Sequence, residues 1–312
     1  MSSLLVTGAA GFIGSHTVEA AARRGHQVRA VDAFNDYYDP ARKHANADAV
    51  LKSVGVAIEP LDLNTADLDD LLDGVDVVVH LAGQPGVRSS WTEFHGYQRD
   101  NVLTTEALLR AALRRKISRF VYASSSSVYG NAKRYPVTED DLTVPTSPYG
   151  VTKLAGELLC RAYAENFGLS TVCLRYFTVY GPRQRPDMAM QRLIEAAFSG
   201  TEFVLFGDGS QVRDFTFVAD VVNANLAAVD AECPPGSVFN IAGGSSVCME
   251  EVLATVERVT ERPLHVRREA PAVGDVRQTG GATDAARQHL GWLPAVTVEE
   301  GVRRQAQAYS PA

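Results

Sequence analysis

Residues 4–14 read LLVTGAAGFIG. A short apolar run with the look of a strand is followed by Gly8, Gly11 and Gly14 at GxxGxxG spacing, and then by a helical pattern. Few folds accept a strand that turns within four residues into a helix. Gly8 permits the tight turn. Gly11 lets backbone N–H groups approach a pyrophosphate, and Gly14 allows close helix–strand packing. The first helical N–H groups lack partners within the helix, and the helix dipole is positive at that end, so an anion is favoured there. The triplet alone is also what an ordinary glycine-rich loop shows, so its context has to decide.

The context is a repeating one. Candidate strands at residues 4–7, 28–31, 56–59, 77–81, 120–123 and 171–175 alternate with candidate helices at 11–24, 65–72, 101–115 and 149–167. Apolar strand runs separated by helices indicate a parallel sheet covered on both faces, a doubly wound Rossmann architecture. Beyond Tyr180 the pattern loosens. A loop, GPRQRPDMAM, leads to a short helix at 191–198. Strands at 203–206 and 238–241 then flank a helix at 219–229. We expect residues 1–175 with 214–243 to form the dinucleotide-binding domain. Residues 176–213 with 244–312 would form a smaller mixed α/β lobe for the substrate.

Asp32 ends the second strand, VRAVD, about 20 residues past the glycines. A carboxylate there can hold the adenosine ribose hydroxyls and repel a 2′-phosphate, which selects NAD over NADP. Asp62, in EPLDL, is placed equally well for an adenine contact or for a turn.

The 312 residues carry 37 acidic against 30 basic side chains, for a formal charge of −7. That argues against a general nucleic-acid binder, though not against a local anion site. No apolar run reaches the roughly 18 residues of a membrane span, and the N-terminus lacks a signal-peptide pattern. Cys160, Cys173, Cys233 and Cys248 form no CxxC pair and have no histidine at zinc spacing, so no metal site is expected. They fit buried free thiols in a reducing cytoplasm.

A strand that ends in serines, FVYASSSSVYG (120–130), is followed by Tyr149-Gly150-Val151-Thr152-Lys153. On a helix, i and i+4 share a face, so Tyr149 and Lys153 point into one cleft. A free tyrosine titrates near pH 10. A neighbouring ammonium and a nicotinium ring would both favour the phenolate, giving a base usable near neutrality.

Taken in order, TGAAGFIG, HLAGQ (80–84), Asn101, YASSSSVYG, YGVTK, LRYFTVYGP (174–182), VRDFTFVAD (212–220) and FNIAGG (239–244) resemble the extended short-chain dehydrogenase/reductases that act on nucleotide sugars. The resemblance covers essentially the whole chain. Within that group DAFNDYYDP (32–40), AGQPGVRSS (82–90) and FTVYGPRQRPDMA (177–189) make it most similar to UDP-glucuronate 4-epimerases.

The resemblance implies that Tyr149 is the base and Lys153 its partner, with Ser125 on the sugar 4-hydroxyl and Ser127 nearby. NAD would be held by Gly8, Gly11, Phe12, Ile13, Gly14, Asp32, Asn35, Asp62, Leu63, Leu81, Ala82, Gly83, Asn101, Tyr149, Lys153 and Tyr176. The UDP-sugar would meet Arg88, Ser125, Ser127, Tyr149, Thr178, Arg185, Arg192, Phe206 (against uracil), Arg213 (against diphosphate) and Asp275 (against the uridine ribose). Related 4,6-dehydratases carry an Asp-Glu pair at positions 126 and 127, and decarboxylases a glutamate at 127. Both are serine here, which leaves reversible oxidation at C4 without an acid for elimination.

Three departures stand out. Gly83 stands where relatives usually have alanine, Ala272 where they often have arginine, and YGVTK follows TSP where many glucuronate epimerases read SLYAATK.

The implied enzyme converts UDP-glucuronate to UDP-galacturonate through a 4-keto sugar with bound NAD. A UDP-glucose or UDP-N-acetylglucosamine epimerase, a decarboxylase and a non-catalytic NAD-binding regulator are the alternatives. The apolar faces Val102, Leu103, Leu108, Leu109, Leu113 and Leu154, Leu158, Leu159, Ala162 are wide enough to cover the sheet and a partner helix pair, which predicts a homodimer.

Overall fold

Every strand of the central sheet runs parallel to its neighbours. In the computed structural model, which describes residues 1–270 and 276–309, β1 (Ser3–Thr7) leads into α1 (Phe12–Arg23) and β2 (Gln27–Asp32) into α2 (Pro40–Val54). Then follow β3 (Ile58–Pro60), β4 (Val77–His80), α3 (Thr104–Arg114), β5 (Arg119–Ser125), α4 (Pro148–Phe167) and β6 (Thr171–Tyr176). Two later elements, α5 (Val218–Asp230) and β7 (Ser237–Ile241), complete the layers. The strand order is β7-β6-β5-β4-β1-β2-β3. This is the doubly wound arrangement expected from the sequence, with a seventh strand beyond β6. The order reverses between β1 and β4, and a crevice opens at the strands' carboxyl ends at such a point.

Burial explains why the strands read as nearly continuous apolar runs. Leu4 and Val6 of β1 enter one core with Val18, Val79, Val121 and Leu226, while Leu5 enters a second core with Val78, Leu108, Leu109 and Phe120. Alternating side chains are thus buried on both faces.

Three elements depart from the sequence expectation. Helix α2 was not anticipated, although its stops are explicit: Asp39 accepts from Ala41 N at 2.9 Å, Pro40 takes the first turn, and Gly55 closes it in the left-handed region at φ 73°. The helix expected at 65–72 shrinks to Leu68–Leu71, because Asp67 caps it by accepting from Asp69 N and Asp70 N. The helix expected from Asn101 begins at Phe94 and passes through a π-helical stretch, Gln98–Leu103, before α3.

After Tyr176 the chain builds three two-stranded pairs. Val179–Tyr180 pairs with Thr216–Phe217, Val212–Asp214 with Ser246–Cys248, and Glu202–Phe206 with His265–Glu269. Among the described residues no helix is long and apolar enough to cross a membrane.

Candidate active site

The glycine turn is built against the end of β4. Gly8 has φ 67°, and a Cβ there would lie 2.8 Å from Ala82 N. A Cβ on Gly14 would lie 2.0 Å from Gly8 O, so only glycine lets α1 pack this close. Ala82 N donates to Thr7 Oγ1 at 3.1 Å, and Thr7 Oγ1 meets His80 Nδ1 at 2.8 Å. Burial takes His80 down to about 3, so it holds these strand ends as a neutral ring.

Helix α1 starts at Gly11 without a side-chain cap and with no acid in its first turn. Its leading N–H groups face the cleft lined by Gly8, Gly11, Phe12, Ile13 and Gly14. An uncapped, acid-free helix start over a glycine turn fits a pyrophosphate.

That cleft, about 350 Å³, also draws in Asp32, Asn35, Asp62, Leu63, Leu81, Ala82, Gly83, Tyr149, Lys153 and Tyr176. The structure therefore brings together every residue expected around NAD except Asn101. Asn101 is buried beneath the cleft wall. Its Oδ1 accepts from Gln84 N at 2.6 Å, and its Nδ2 donates to Gln84 O and Thr152 Oγ1, both at 3.0 Å. It shapes the 83–85 loop and does not line the cleft. Tyr176 presents its ring to the cleft, because its hydroxyl donates to Asn225 Oδ1 in the core at 2.5 Å.

Helix α4 delivers the tyrosine and lysine. Ser147 caps it by accepting from Gly150 N at 3.1 Å, and Pro148 fills the first position, a favoured start. Tyr149 and Lys153 then stack one turn apart on the face toward β5. Lys153 Nζ donates to Ala123 O at 2.9 Å. Ser125 Oγ accepts from Ser127 N at 3.1 Å, and its hydroxyl sits close enough to the Tyr149 phenol to lower it.

Burial raises the Tyr149 phenol above its ordinary value, opposed by the Ser125 hydroxyl and the Arg185 charge. The lysine ammonium expected to favour the phenolate is itself lowered by burial to about 8, with Glu157 opposing. In the chain alone, then, desolvation outweighs the local charges, and Tyr149 is held as a phenol.

A second cleft, about 210 Å³, is lined by Arg88, Ser126, Ser127, Thr178, Arg213 and Thr279 among others. The expected substrate residues are thus split. Arg88, Ser127, Thr178 and Arg213 line this cleft, and Arg185 and Tyr149 line the first. Arg185 also pairs with Asp187 at 2.9 Å. Arg192 lines neither cleft, since its guanidinium lies over the Phe203 ring at 5.4 Å. Phe206 carries the Arg88 guanidinium over its ring at 4.2 Å. Asp275 and Ala272 lie outside the described residues.

Lys43, Tyr37 and Arg99 also line the first cleft, with no motif in the sequence to single them out. The Asp39-Pro40 helix start would have placed Lys43 one turn into α2, beside Asp32.

Residues 4–242 match the family model described as the NAD dependent epimerase/dehydratase family. The chain belongs to that family. It is 40% identical over 97% of its length, and 96% of the relative's, to a Bacillus subtilis protein described as an uncharacterized UDP-glucose epimerase, YtcB. The structure of a Bacillus cereus UDP-glucuronic acid 4-epimerase with UDP-glucuronic acid and NAD superposes with a TM-score of 0.94 at 38% identity, covering 98% of each chain. MoeE5, solved with UDP-glucuronic acid and NAD and also with UDP-glucose and NAD, gives a TM-score of 0.89 at 41% identity, with 98% of each chain covered.

Proposed function

We propose that this chain is a NAD-dependent UDP-sugar 4-epimerase whose substrate is UDP-glucuronate. The observation that carries the reading is the placement of Tyr149 and Lys153 on one cleft whose lining includes the glycine turn and Asp32, with the Ser125 hydroxyl beside Tyr149. Bound NAD supplies a reversible hydride acceptor at C4 of the sugar.

The chain's own residues do the rest. Tyr149, beside the Ser125 hydroxyl, is placed to take the proton of the sugar 4-hydroxyl and give it back. Lys153, anchored to Ala123 O, keeps a positive charge beneath that exchange below about pH 8. A cationic cofactor ring beside Tyr149 would offset the burial that holds it as a phenol. Serines at 126 and 127 supply no carboxyl for elimination of water.

Oxidation at C4 of a glucuronate makes a β-keto acid, which loses carbon dioxide when its C–C bond aligns with the carbonyl π system. Of Arg88, Arg185 and Arg192, Arg185 alone shares the first cleft with Tyr149. We assign it to hold the carboxylate out of that alignment. Arg88 and Arg213, in the second cleft with Thr178, are assigned to the diphosphate side. In this reading the two clefts lie where the dinucleotide-binding part (1–175 with 214–243) meets the smaller lobe.

A second reading, a UDP-glucose 4-epimerase, is favoured by the description of the Bacillus subtilis relative and by the UDP-glucose complex of MoeE5. Purified chain mixed with UDP-glucuronate or UDP-glucose separates the two by product chromatography. Tyr149→Phe is expected to retain NAD and lose about 10²–10⁴-fold in turnover.

We also assign the chain as a cytoplasmic homodimer. The reading is supported by four free cysteines and by outward apolar side chains on the two helices expected to pair. Leu103, Val151 and Leu158 are 57%, 48% and 56% exposed, whereas Leu108 and Leu109 are consumed by the sheet.

A further inference from the structure

Lys43 is an ammonium buried where a Rossmann fold normally needs only a carboxylate. Its side chain is 7% exposed and lines the first cleft beside Asp32. Burying an ammonium is costly unless something compensates it. The neighbouring carboxylate does not bond it directly: Nζ lies 3.8 Å from Asp32 Oδ1. Asp32 is already supplied with backbone donors, Ala10 N at 3.1 Å on Oδ2 and Phe34 N at 2.8 Å on Oδ1.

Among the described residues the hydrogen-bond acceptor of Lys43 is Asn35 Oδ1, at 2.5 Å, and the Tyr38 ring lies 5.2 Å away. An ammonium has three donors. One goes to Asn35, which leaves two for acceptors in the cleft. Burial draws Lys43 below an ordinary lysine, opposed by Asp32 and Asp36.

The end of β2 is where the adenosine ribose is held, so an acceptor arriving there is a ribose hydroxyl or, in NADP, a 2′-phosphate. A phosphate carries up to two charges and takes charge-assisted donors well.

We propose that Lys43 is a second determinant of cofactor choice. It donates to the adenosine ribose beside Asp32, and it is a receptor for a 2′-phosphate that the Asp32 charge masks. The inference rests on the dinucleotide placement of the proposed function. Asp32 and Lys43 form a charge-balanced pair in which each member selects a different cofactor, and the carboxylate dominates because it lies at the strand end with its geometry fixed by two backbone amides.

The test is calorimetric titration of the nucleotide-stripped full chain with NAD and with NADP, for wild type, Asp32→Ser, Lys43→Met and the double variant. Wild type should bind NAD and discriminate strongly against NADP. Asp32→Ser should bind NADP roughly 10–100-fold tighter than wild type does, the range expected of a charge-assisted pair. The double variant should lose that gain, and Lys43→Met alone should weaken NAD by a few-fold. Should Asp32→Ser misfold, Asp32→Asn keeps the side-chain shape and is expected to move in the same direction. A gain in NADP affinity that survives Lys43→Met, or an Asp32 variant that binds NAD but gains nothing for NADP, overturns the role of Lys43. Failure of wild type to bind NAD at all would instead remove the placement on which the inference stands.

Discussion

The guanidinium of Arg175 grips both carboxylate oxygens of Glu157, at 2.9 and 2.8 Å, one helical turn beyond Lys153. Both side chains are buried. Ser124, at the end of β5, donates to the same carboxylate, and Arg175 also donates to Tyr129 Oη at 2.7 Å. The catalytic helix is thereby tied to the serine strand from behind the site.

Breaking a buried pair from one side leaves an unpaired charge, which costs about 3–5 kcal/mol. Glu157→Gln should therefore lower unfolding stability by that order. Urea unfolding of the nucleotide-free chain measures it, and a loss below about 1 kcal/mol would mean that the fork does not hold α4 to the sheet.

Lys153 makes a pH prediction. Burial lowers it to about 8 in the folded chain, against an ordinary lysine value of 10.5. Below pH 8 it is charged in both states, and the fold carries the full penalty of burying it. Between pH 8 and 10.5 the unfolded chain binds more protons than the folded one, so this group's contribution to stability rises with pH. At about 1.4 kcal/mol per pH unit, wild type should gain roughly 3 kcal/mol relative to Lys153→Met across that window. Parallel unfolding curves for the two proteins at pH 8 and 10.5 would contradict the assignment.

Arg185→Ala should weaken UDP-glucuronate far more than UDP-glucose. A desolvated charge-assisted pair is worth about 1.5–3 kcal/mol, or roughly 10–100-fold in affinity. Some UDP-pentose should also be released, because the β-keto acid is no longer held out of alignment. Competition binding with both sugars, repeated for Arg88→Ala, locates the carboxylate. An unchanged preference in both variants removes the arginine account.

Leu158→Glu places a charge on an outward face of α4. Light scattering should show the dimer converting to a monomer with its helical content intact. A monomeric wild type, independent of concentration, defeats the dimer proposal before the variant is made.

The strand–glycine–helix start, the parallel sheet and the Tyr149/Lys153 spacing were legible because each is a local pattern with a single steric solution. Asp32 was legible for the same reason, as the end of an apolar run. Four things were not. Helix α2 has weak apolar periodicity, and few of its side chains are buried, so its polar composition resembled a loop, and Lys43 was lost with it. Asn101 was expected in the cleft, yet its amide is spent on Gln84 and Thr152 across the fold, partners no sequence spacing reveals. Of the six strands in the three pairs beyond Tyr176, two to five residues long, the one at 203–206 was legible; the others are too short or too polar for alternation to register. The partition of arginines between two clefts is likewise a tertiary fact. Arg192 looked as suitable as Arg185 until its guanidinium was found over Phe203.

The most direct measurement incubates the full chain with UDP-glucuronate, UDP-glucose and UDP-N-acetylglucosamine in separate reactions and resolves the products by chromatography. UDP-glucuronate is expected to be converted to a mixture with UDP-galacturonate, without UDP-pentose, and the neutral sugars to react far more slowly. Conversion of UDP-glucose to UDP-galactose with UDP-glucuronate left untouched, or accumulation of UDP-pentose from UDP-glucuronate, would contradict it.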